Sequence, residues 1–441
     1  MSDSTLPVLT GGEQEGPPTL WGLELVFPPE DARRFRISSA RGLAIGRDAD
    51  ADVVIASHQV SRRHADIVCV GEELWVHDSG SLNGTHVNGE RVIRRPLHEG
   101  DVLRIGDRLA VVVRDDIEEM SSATVTQIAS GFWAGSVLQA ALANARKAAR
   151  TDLPVVLQGA TGTGKERAAR AIHEWSGRAG AFVPINCAAI PEHLAEAELF
   201  GYRKGAFTGA DRSAVGHLRA AHGGTLLLDE VSDLPLPLQA KLLRVVEQSE
   251  VQPLGEARAL PIDVRLVVAA QRPLLDDVEA GRFRADLYAR FNGVMVTLPE
   301  LARRKSDVPS LFLRLLNRRL GAPPPPLDVL LVERLLLYGW PGNVRELELL
   351  ARRMVGLHGH ESRFSLSHLA GTALEMNFVA PAPELSRDER DVQALLSGLR
   401  SSHGNLSQAA ALARVSRQRA YRLLQSRAEV DLKALRKGSL A

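Results

Sequence analysis

Cysteine is nearly absent from this chain of 441 residues, which holds only Cys69 and Cys187. Two distant thiols form neither a disulfide framework nor a metal-ligand cluster, so the composition favours a reducing environment. No apolar run approaches the roughly 18 residues that a membrane span needs. The polar, acidic N-terminus also lacks the apolar core of a signal peptide. The sequence therefore predicts a cytoplasmic protein with no membrane partner.

An overall excess of either charge is also missing. Lys plus Arg number 54 and Asp plus Glu number 53, so the net charge identifies no class of partner. The local distribution is uneven, because residues 388–441 hold ten Lys or Arg against five Asp or Glu. This C-terminal excess of positive charge favours a nucleic-acid partner.

Composition and pattern divide the chain into six segments, which fits about three domains for this length. Residues 1–19 indicate a disordered leader, and 116–130 and 373–387 indicate linkers. Residues 20–115 show short apolar runs separated by turns, the pattern of an all-β sandwich. Residues 131–372 alternate strand and helix patterns, which predicts an α/β domain. Residues 388–441 predict an all-α domain.

The loops of the predicted sandwich are rich in hydrogen-bond donors. They hold Gly46-Arg47, Ser61-Arg62-Arg63-His64 and Ser81-Leu82-Asn83-Gly84-Thr85. Guanidinium, hydroxyl and amide donors that converge at one end of a sandwich suit a phosphate dianion. Asn88-Gly89, by contrast, is a usual dipeptide of a hairpin turn, and we favour that interpretation there.

The Gly-Arg, Ser-x-x-His and Asn-Gly-Thr elements resemble the forkhead-associated (FHA) domain, which recognises phosphothreonine peptides. The resemblance covers residues 20–115 and implies a phosphothreonine protein or a Ser/Thr kinase as a partner. It also implies that His64 braces the loops without touching the ligand. The residues implied to contact phosphate or peptide are Arg47, Ser61, Arg62 and Asn83.

A glycine-rich turn follows a predicted buried strand at 154–158 and opens a predicted helix at 167–175. This order is the context of a P-loop, whose backbone N–H groups and helix N-terminus bind phosphates. Lys165 would pair the β- and γ-phosphates, while Glu166 stands where Ser or Thr usually meets Mg²⁺. The predicted ATP-binding residues of this turn are Gly159, Ala160, Thr161, Gly162, Thr163, Gly164, Lys165 and Glu166.

A second hydrophobic strand ends in two carboxylates, within Gly224-Thr225-Leu226-Leu227-Leu228-Asp229-Glu230. Asp229 can hold Mg²⁺, and Glu230 can polarise the attacking water. An Asp-Glu pair can also mark only the start of a helix. The P-loop upstream favours the catalytic interpretation.

Residues 131–372 resemble the AAA+ domain of bacterial sigma-54-dependent transcriptional activators, also called enhancer-binding proteins. Gly205-Ala206-Phe207-Thr208-Gly209-Ala210 matches the family's sigma-contacting hexapeptide at all its positions, and Glu166 is usual in the family. Asn186-Cys187-Ala188, the arginine-bearing segment 283–290 and Trp340-Pro341-Gly342-Asn343-Val344-Arg345-Glu346-Leu347 agree. The resemblance implies an α/β AAA+ domain with an α-helical lid. It also implies ATP and Mg²⁺ as cofactors, a homo-oligomer between dimer and hexamer, and the sigma-54 RNA polymerase holoenzyme as a partner.

The resemblance also assigns roles. Asn186 would restrain Glu230 until the γ-phosphate is sensed, and Arg345 would sense nucleotide from the lid. Arg284 and Arg290 would reach the phosphates bound by a neighbouring subunit, although without this context both would be ordinary surface charges.

Two departures from the family pattern stand out. The first sensor reads Ala270-Gln271 in place of the commoner Thr-Asn, and Leu301-Ala302-Arg303-Arg304 replaces Leu-Arg-Glu-Arg. We expect the first departure to weaken or reposition the sensing of γ-phosphate by Gln271.

Two short helices are predicted in the C-terminal segment, with Ser407 and Ser416 as their N-caps. The second helix combines a basic polar face with an apolar face, which suits a major groove. The order resembles the Fis-type helix-turn-helix that closes this activator family, and a solvated basic helix is the alternative. We expect assembly on upstream promoter DNA, as two-fold dimers or higher forms. The predicted DNA contacts are Ser416, Arg417, Gln418, Arg419, Tyr421 and Arg422.

The sequence thus predicts a sigma-54-dependent transcriptional activator that hydrolyses ATP and is regulated by phosphothreonine binding. One alternative is a DNA-bound, phosphopeptide-responsive repressor or scaffold with a degraded ATPase, which the altered sensor keeps open. Another is an AAA+ remodeller that acts on a different substrate. The direction in which the FHA domain controls the ring stays open.

Overall fold

The computed structural model describes residues 20–37, 42–115 and 125–376, together with seven positions near the C-terminus: 395, 406, 408, 410, 415, 419 and 420. The chain forms two compact units, Met1–Phe378 and Val379–Ala441. Within these described residues, no helix combines the length and the apolar character that crossing a bilayer requires.

The N-terminal domain is a sandwich of two β-sheets. Its strands are β1 (Leu20–Phe27), β2 (Arg33–Ile37), β3 (Leu43–Gly46), β4 (Val53–Val54), β5 (Ala65–Val70), β6 (Glu73–Asp78), β7 (Thr85–Val87), β8 (Glu90–Val92), β9 (Arg94–Leu97), β10 (Val102–Ile105) and β11 (Arg108–Asp115). One sheet has the order β2-β1-β11-β10-β7-β8 and the other β4-β3-β5-β6-β9. Alternate residues such as Leu23, Leu25 and Ile67 are buried between the sheets, as the period of a strand requires. The predicted all-β sandwich is confirmed.

Asn88 and Gly89 form the two-residue loop between β7 and β8. Their φ angles are 52° and 85°, and positive φ at both positions is the mark of a type I′ hairpin turn. The interpretation of this dipeptide as a hairpin turn is therefore confirmed.

The central domain is built on a parallel sheet. Its elements are β12 (Thr126–Ala129), β13 (Phe132–Ala134), α1 (Ser136–Ala148), β14 (Val155–Gln158), α2 (Lys165–Ser176), β15 (Phe182–Asn186), α3 (Glu192–Phe200), α4 (His217–Ala220), β16 (Thr225–Asp229), α5 (Leu236–Gln248), β17 (Glu250–Val251), β18 (Leu260–Pro261), β19 (Arg265–Ala270), α6 (Leu274–Glu279), α7 (Ala285–Phe291) and β20 (Val294–Thr297). The strand order is β15-β16-β19-β14-β20, and every pairing is parallel. The strands are almost wholly apolar because helices cover both faces. Their carboxyl ends meet at one edge, which is where ligands bind in such sheets.

A helical lid follows the sheet. Its helices are α8 (Asp307–Leu320), α9 (Val329–Leu337), α10 (Asn343–His358) and α11 (Ala373–Met376). The lid core includes Phe312, Trp340 and Phe364, all fully buried. This core continues into the sandwich, where Val26 and Val102 belong to the same apolar cluster. The predicted α/β domain with a helical lid is confirmed.

The two predicted linkers were wrong at their inner ends. Thr126–Ala129 forms β12, which pairs with β13, although 116–130 was predicted as a linker. Helix α11 occupies the start of the predicted linker 373–387, and its Leu374 is 2% exposed in the lid core. Composition missed both elements because tertiary contacts stabilise them, such as the hydrogen bond from Trp175 Nε1 to Ile128 O. The leader and the remainder of both linkers lie outside the described residues.

The C-terminal unit is described at only seven positions. Leu395, Ala410 and Ala420 are buried in one cluster, and Leu406 and Val415 pack against it. Arg419 lies in a helix. The other predicted DNA contacts, Ser416, Arg417, Gln418, Tyr421 and Arg422, lie outside the described residues.

Candidate functional sites

The P-loop lies between β14 and α2, as the sequence predicts. Gly162 and Gly164 have φ angles of 81° and 109°, which L side chains rarely adopt. A Cβ on Gly162 would lie 2.3 Å from the carbonyl oxygen of Gly342, so this glycine also lets the lid approach the loop.

The P-loop opens into a cleft between the parallel sheet and the lid. The central domain supplies the loop, the carboxylates that follow β16 and the β13 hairpin, and the lid supplies α8 and α10. The lining residues include Thr161, Gly162, Thr163, Gly164, Lys165, Glu166, Asp229, Glu230, Arg304, Arg314, Trp133 and Arg345. Predicted site residues from three distant segments, the P-loop, the Asp229-Glu230 pair and Arg345, thus converge on one cavity.

Lys165 is a buried cation of the cleft. Its side chain is 7% exposed, and its Nζ lies 3.7 Å from Glu230 Oε1. Nζ also donates to the carbonyl oxygen of Gly159 at 2.8 Å. The ammonium group is therefore held between the P-loop and the acidic end of β16, in the position that a phosphate-binding lysine needs.

Asp229 and Glu230 form the acidic wall. Burial raises the pKa of Asp229, and the nearby Lys165 ammonium opposes this rise. Glu230 adopts a φ of 52°, a left-handed backbone conformation that costs free energy for a residue with a side chain. Residues in such strained conformations are concentrated at functional sites. Its backbone N–H donates to Asp229 Oδ1 at 3.1 Å. The sharp turn therefore places both carboxylates at the mouth of the P-loop.

Gln271 holds the carboxylate of Glu230. Its Nε2 donates to Glu230 Oε1 at 3.1 Å. The residue follows β19, the strand between β14 and β16, so its amide sits between the P-loop and the acidic wall. Asn186, for which the resemblance implied control of Glu230, places its Oδ1 on the Ala188 N–H at 3.0 Å. The departure from Thr-Asn thus leaves an amide in contact with the Glu230 carboxylate.

Asn343 fastens the lid to the P-loop. Its Nδ2 donates to Thr161 O at 3.0 Å, and its Oδ1 accepts the Leu301 N–H at 2.8 Å. The next residue, Val344, donates its N–H to Gly162 O at 3.0 Å. These bonds bring Arg345, one residue further along α10, to the cleft.

Sequence reasoning missed several residues that line the cleft, among them Arg304, Arg314 and Trp133. Arg304 is 3% exposed and donates to Thr163 O at 2.9 Å, so the last residue of the altered Leu-Ala-Arg-Arg segment touches the P-loop. The Arg314 guanidinium lies 3.3 Å from the centroid of the Trp133 ring. Only Arg304 carried a signal, because it matches the last arginine of the family pattern. Trp133 lies in the hairpin β12–β13, half of which was taken for a linker.

Arg284 and Arg290 do not line the cleft of their own chain. Arg284 pairs with Asp286 at 2.6 Å, and Arg290 pairs with Glu247 at 2.7 Å. Their side chains are 40% and 57% exposed. Both guanidinium groups are thus presented on the surface.

The hexapeptide loop, residues 205–210, is a compact turn with an exposed tip. Gly205 N–H donates to Ala210 O at 2.9 Å, which closes the loop. Phe207 is 40% exposed and packs edge-on against Tyr202, with 5.0 Å between ring centroids. Thr208 is exposed at the tip. The loop therefore offers an aromatic ring and a hydroxyl to a partner.

The candidate phosphopeptide site lies on three loops of the sandwich. Arg47 and Asn83 are exposed, and Asn83 Nδ2 donates to Gln59 O at 2.7 Å. Ser61 Oγ accepts the Leu82 N–H at 3.1 Å, which joins two of these loops. Arg62 is exposed beside Ser61. The four predicted contact residues are thus placed on neighbouring loops.

His64 braces the same loops from within. It is fully buried; its Nδ1 accepts the Ser61 N–H at 3.2 Å, and its Nε2 lies 3.3 Å from Gly84 O. Burial lowers the pKa of His64, which favours the neutral ring with its hydrogen on Nε2. Gly46 packs so tightly that a Cβ would lie 2.0 Å from Arg62 O. This glycine therefore fixes the approach of Arg47 to the second loop.

Comparison with known proteins finds three matching families. The sigma-54 interaction domain matches residues 134–297, the FHA domain matches 43–106, and the AAA+ ATPase lid domain matches 302–383. Transcriptional regulatory protein GlrR of Escherichia coli strain K12 is 39% identical over 331 residues, which are 74% of this chain and 74% of GlrR. The pathogenicity locus probable regulatory protein HrpS of Pseudomonas syringae pv. syringae is 47% identical over 214 residues, 48% of this chain and 71% of HrpS.

A solved structure is also similar. NtrX from Brucella abortus, in complex with ADP, has a TM-score of 0.50 and 31% sequence identity, and the match covers 66% of this chain and 68% of NtrX. Sequence motifs, fold and relatives agree: the chain belongs to the sigma-54-dependent transcriptional activators, with an FHA domain ahead of its AAA+ sigma-54 interaction domain and lid.

Proposed function

We propose that this activator hydrolyses ATP in a homo-oligomeric ring and uses the cycle to remodel the sigma-54 RNA polymerase holoenzyme through the hexapeptide loop. The observation that carries the proposal is the position of Glu230 beside the P-loop, with its Oε1 3.7 Å from Lys165 Nζ and 3.1 Å from Gln271 Nε2. The P-loop N–H groups and Lys165 bind the phosphates. Glu230 orients and activates water.

Gln271 is a positioning residue in this scheme. Its amide donates to Glu230 Oε1, so it fixes the carboxylate from which water would be activated. A γ-phosphate near this amide would compete for the same N–H donor. Binding and loss of the γ-phosphate thus bias two positions of Glu230, which couples the chemistry to movement of the chain.

The cleft fits Mg²⁺. Asp229 supplies a hard carboxylate oxygen, the donor that Mg²⁺ prefers, on the same side of the cleft as Lys165. Magnesium would neutralise charge that develops on the phosphates. Asp229 is the residue that would hold it, directly or through water, and Glu166 has no assigned part in that binding.

Control and location complete the proposal. A phosphothreonine protein or Ser/Thr kinase binds the FHA loops through Arg47, Ser61, Arg62 and Asn83. The C-terminal segment anchors the chain to upstream promoter DNA as a helix-turn-helix, and the assembly works in the cytoplasm. The exposed guanidinium at Arg47 and the basic C-terminal composition support these two assignments.

The rival is a DNA-bound repressor or scaffold whose ATPase is degraded. The Gln271–Glu230 hydrogen bond favours a competent site, because the altered sensor still contacts the catalytic carboxylate. ATP turnover measured at high protein concentration, with promoter DNA and phosphopeptide present, separates the two. Turnover together with sigma-54-dependent promoter opening supports the activator, and absence of turnover supports the rival.

Thr208→Ala should leave ATP turnover nearly unchanged while promoter opening falls about tenfold, the effect of losing about one hydrogen bond to a partner. Thr208 is exposed at the tip of the hexapeptide loop and does not line the cleft. Both activities are measured on the same preparations. Thr126→Ala, an exposed threonine on β12, is the control and should keep both activities. Full promoter opening by Thr208→Ala would refute the role of the loop.

Arg47→Ala should weaken phosphothreonine-peptide binding about 10- to 100-fold, because a charged hydrogen bond contributes about 1.5–3 kcal/mol. Isothermal titration with a phosphothreonine peptide and with its unphosphorylated form measures the effect. Arg63→Ala is the matched control, since Arg63 is also exposed but binds Asp66 at 3.0 Å. Equal losses in both variants would contradict a phosphate site at Arg47.

A further inference from the structure

The FHA domain packs directly on the lid. Val26, Val102 and Val111 of the sandwich share one apolar cluster with Phe312 and Leu331 of the lid. All five side chains are at most 3% exposed. Removal of this apolar surface from water stabilises the contact. The two domains are therefore joined by a continuous core and not merely by a chain connection.

Two buried polar contacts hold the same surface to the lid. Arg104 Nε lies 2.8 Å from Glu333 Oε2, with side chains 15% and 5% exposed. Lys305 Nζ donates to Gly100 O at 2.8 Å. Burial raises the pKa of Glu333, and Arg104 opposes that rise.

The FHA domain also contacts the α/β half of the AAA+ domain. Arg34 donates to Ser136 Oγ at 3.1 Å, at the first residue of α1. The same guanidinium pairs with Glu24, whose other oxygen accepts the hydroxyl of Ser306, just before α8. One buried ion pair of the FHA domain thus contacts both α1 and the last residue of the segment that joins sheet and lid.

That joining segment, residues 298–306, is the connection about which the lid would turn relative to the sheet, and we call it the hinge. It runs from β20 to α8 and contains Arg304, which donates to Thr163 O in the P-loop. Residues Lys305 and Ser306, which contact the FHA domain, directly follow Arg304. Any rotation of the lid about this hinge has to break or stretch FHA contacts on one side of it.

We propose that the FHA domain is a brace across this hinge. The docked FHA domain restrains the lid and slows the nucleotide cycle of its own subunit. This role rests on the proposed ATP hydrolysis, and it gives the direction of control: the docked FHA domain restrains hydrolysis. Its apolar and ionic contacts stabilise one angle between lid and sheet, so a step that needs another angle is slowed. The phosphopeptide loops stay accessible in the docked state, because Arg47 and Asn83 are both exposed.

The test loosens the brace without touching the cleft. Lys305→Ala removes one hydrogen bond to Gly100, and the double variant Arg104→Gln with Glu333→Gln removes the ion pair without leaving a buried lone charge. Arg95→Gln is the control, since Arg95 pairs with Glu90 inside the FHA domain. ATP turnover, ATP affinity and hydrogen exchange of residues 298–306 are measured on the full chain.

Both loosened variants should show faster exchange in the hinge and turnover raised about three- to tenfold, with ATP affinity unchanged. The control should match the parent chain. Faster hinge exchange with unchanged or lower turnover would overturn the restraint, and unchanged hinge exchange in both variants would overturn the brace itself. If the parent chain shows no turnover, the proposed ATPase fails. Hinge exchange in the presence of ADP then decides the brace alone: faster exchange in the loosened variants supports it, and equal exchange overturns it.

Discussion

Lys165→Ala should weaken ATP binding at least about 100-fold and abolish measurable turnover. The ammonium group is 7% exposed and lies 3.7 Å from Glu230 Oε1, so it is a desolvated cation inside an acidic cleft. Removing one partner of a buried charge pair costs about 3–5 kcal/mol, because the remaining charge is left uncompensated. Here the remaining charges are Asp229 and Glu230, which would then repel the phosphates.

Titration of a fluorescent ATP analogue into the full chain measures the affinity, and phosphate release measures the turnover. Lys147→Ala is the matched control, since Lys147 is exposed on α1 and should bind ATP as the parent chain does. Lys165→Ala should also raise the pKa of Asp229 further, because the Lys165 ammonium group lowers that pKa. Unchanged ATP affinity in Lys165→Ala would refute the phosphate-binding role of the P-loop.

The cleft could be predicted from sequence because its parts are local motifs placed by a simple sheet. The glycines before Lys165 and the carboxylates after β16 each follow a buried strand. Parallel strands bring these ends to one edge whatever their separation along the chain. The bond from Gln271 to Glu230 could not be predicted, since it depends on the side-chain length and on the φ of 52° at Glu230.

The docking of the FHA domain on the lid could not be predicted either. Arg104 and Glu333 are separated by 229 positions, and neither belongs to a motif. Their pairing depends on the shapes of two finished domains. The prediction of a linker at residues 116–130 missed the hairpin β12–β13 for a related reason. Its Thr-Gln-Ile-Ala strand has the composition of a linker, and packing against Trp175 stabilises it.

Arg290→Ala should lower ATP turnover by ~10³-fold while ATP affinity stays within about threefold of the parent chain. A cation delivered in trans to the developing negative charge is worth about 10³–10⁵ in rate. Arg290 is 57% exposed, pairs with Glu247 and does not line the cleft of its own chain. An effect on turnover would therefore have to act on a neighbouring subunit.

Mixing two inactive variants distinguishes action in trans from a local effect. Glu230→Gln lacks the carboxylate that we propose activates water but keeps Arg290, and Arg290→Ala keeps its own cleft. In a mixed ring, the cleft of an Arg290→Ala subunit keeps Glu230 and can face Arg290 of a neighbouring Glu230→Gln subunit. That cleft is complete, so turnover should recover when the two variants are combined. Lys241→Ala is the control, since Lys241 is an exposed cation of α5 that pairs with Glu196, and this variant should keep full turnover alone. Recovery of turnover that scales with the fraction of mixed neighbours requires a site shared between subunits. If the mixture is as inactive as its components, the loss of turnover in Arg290→Ala arises within its own subunit.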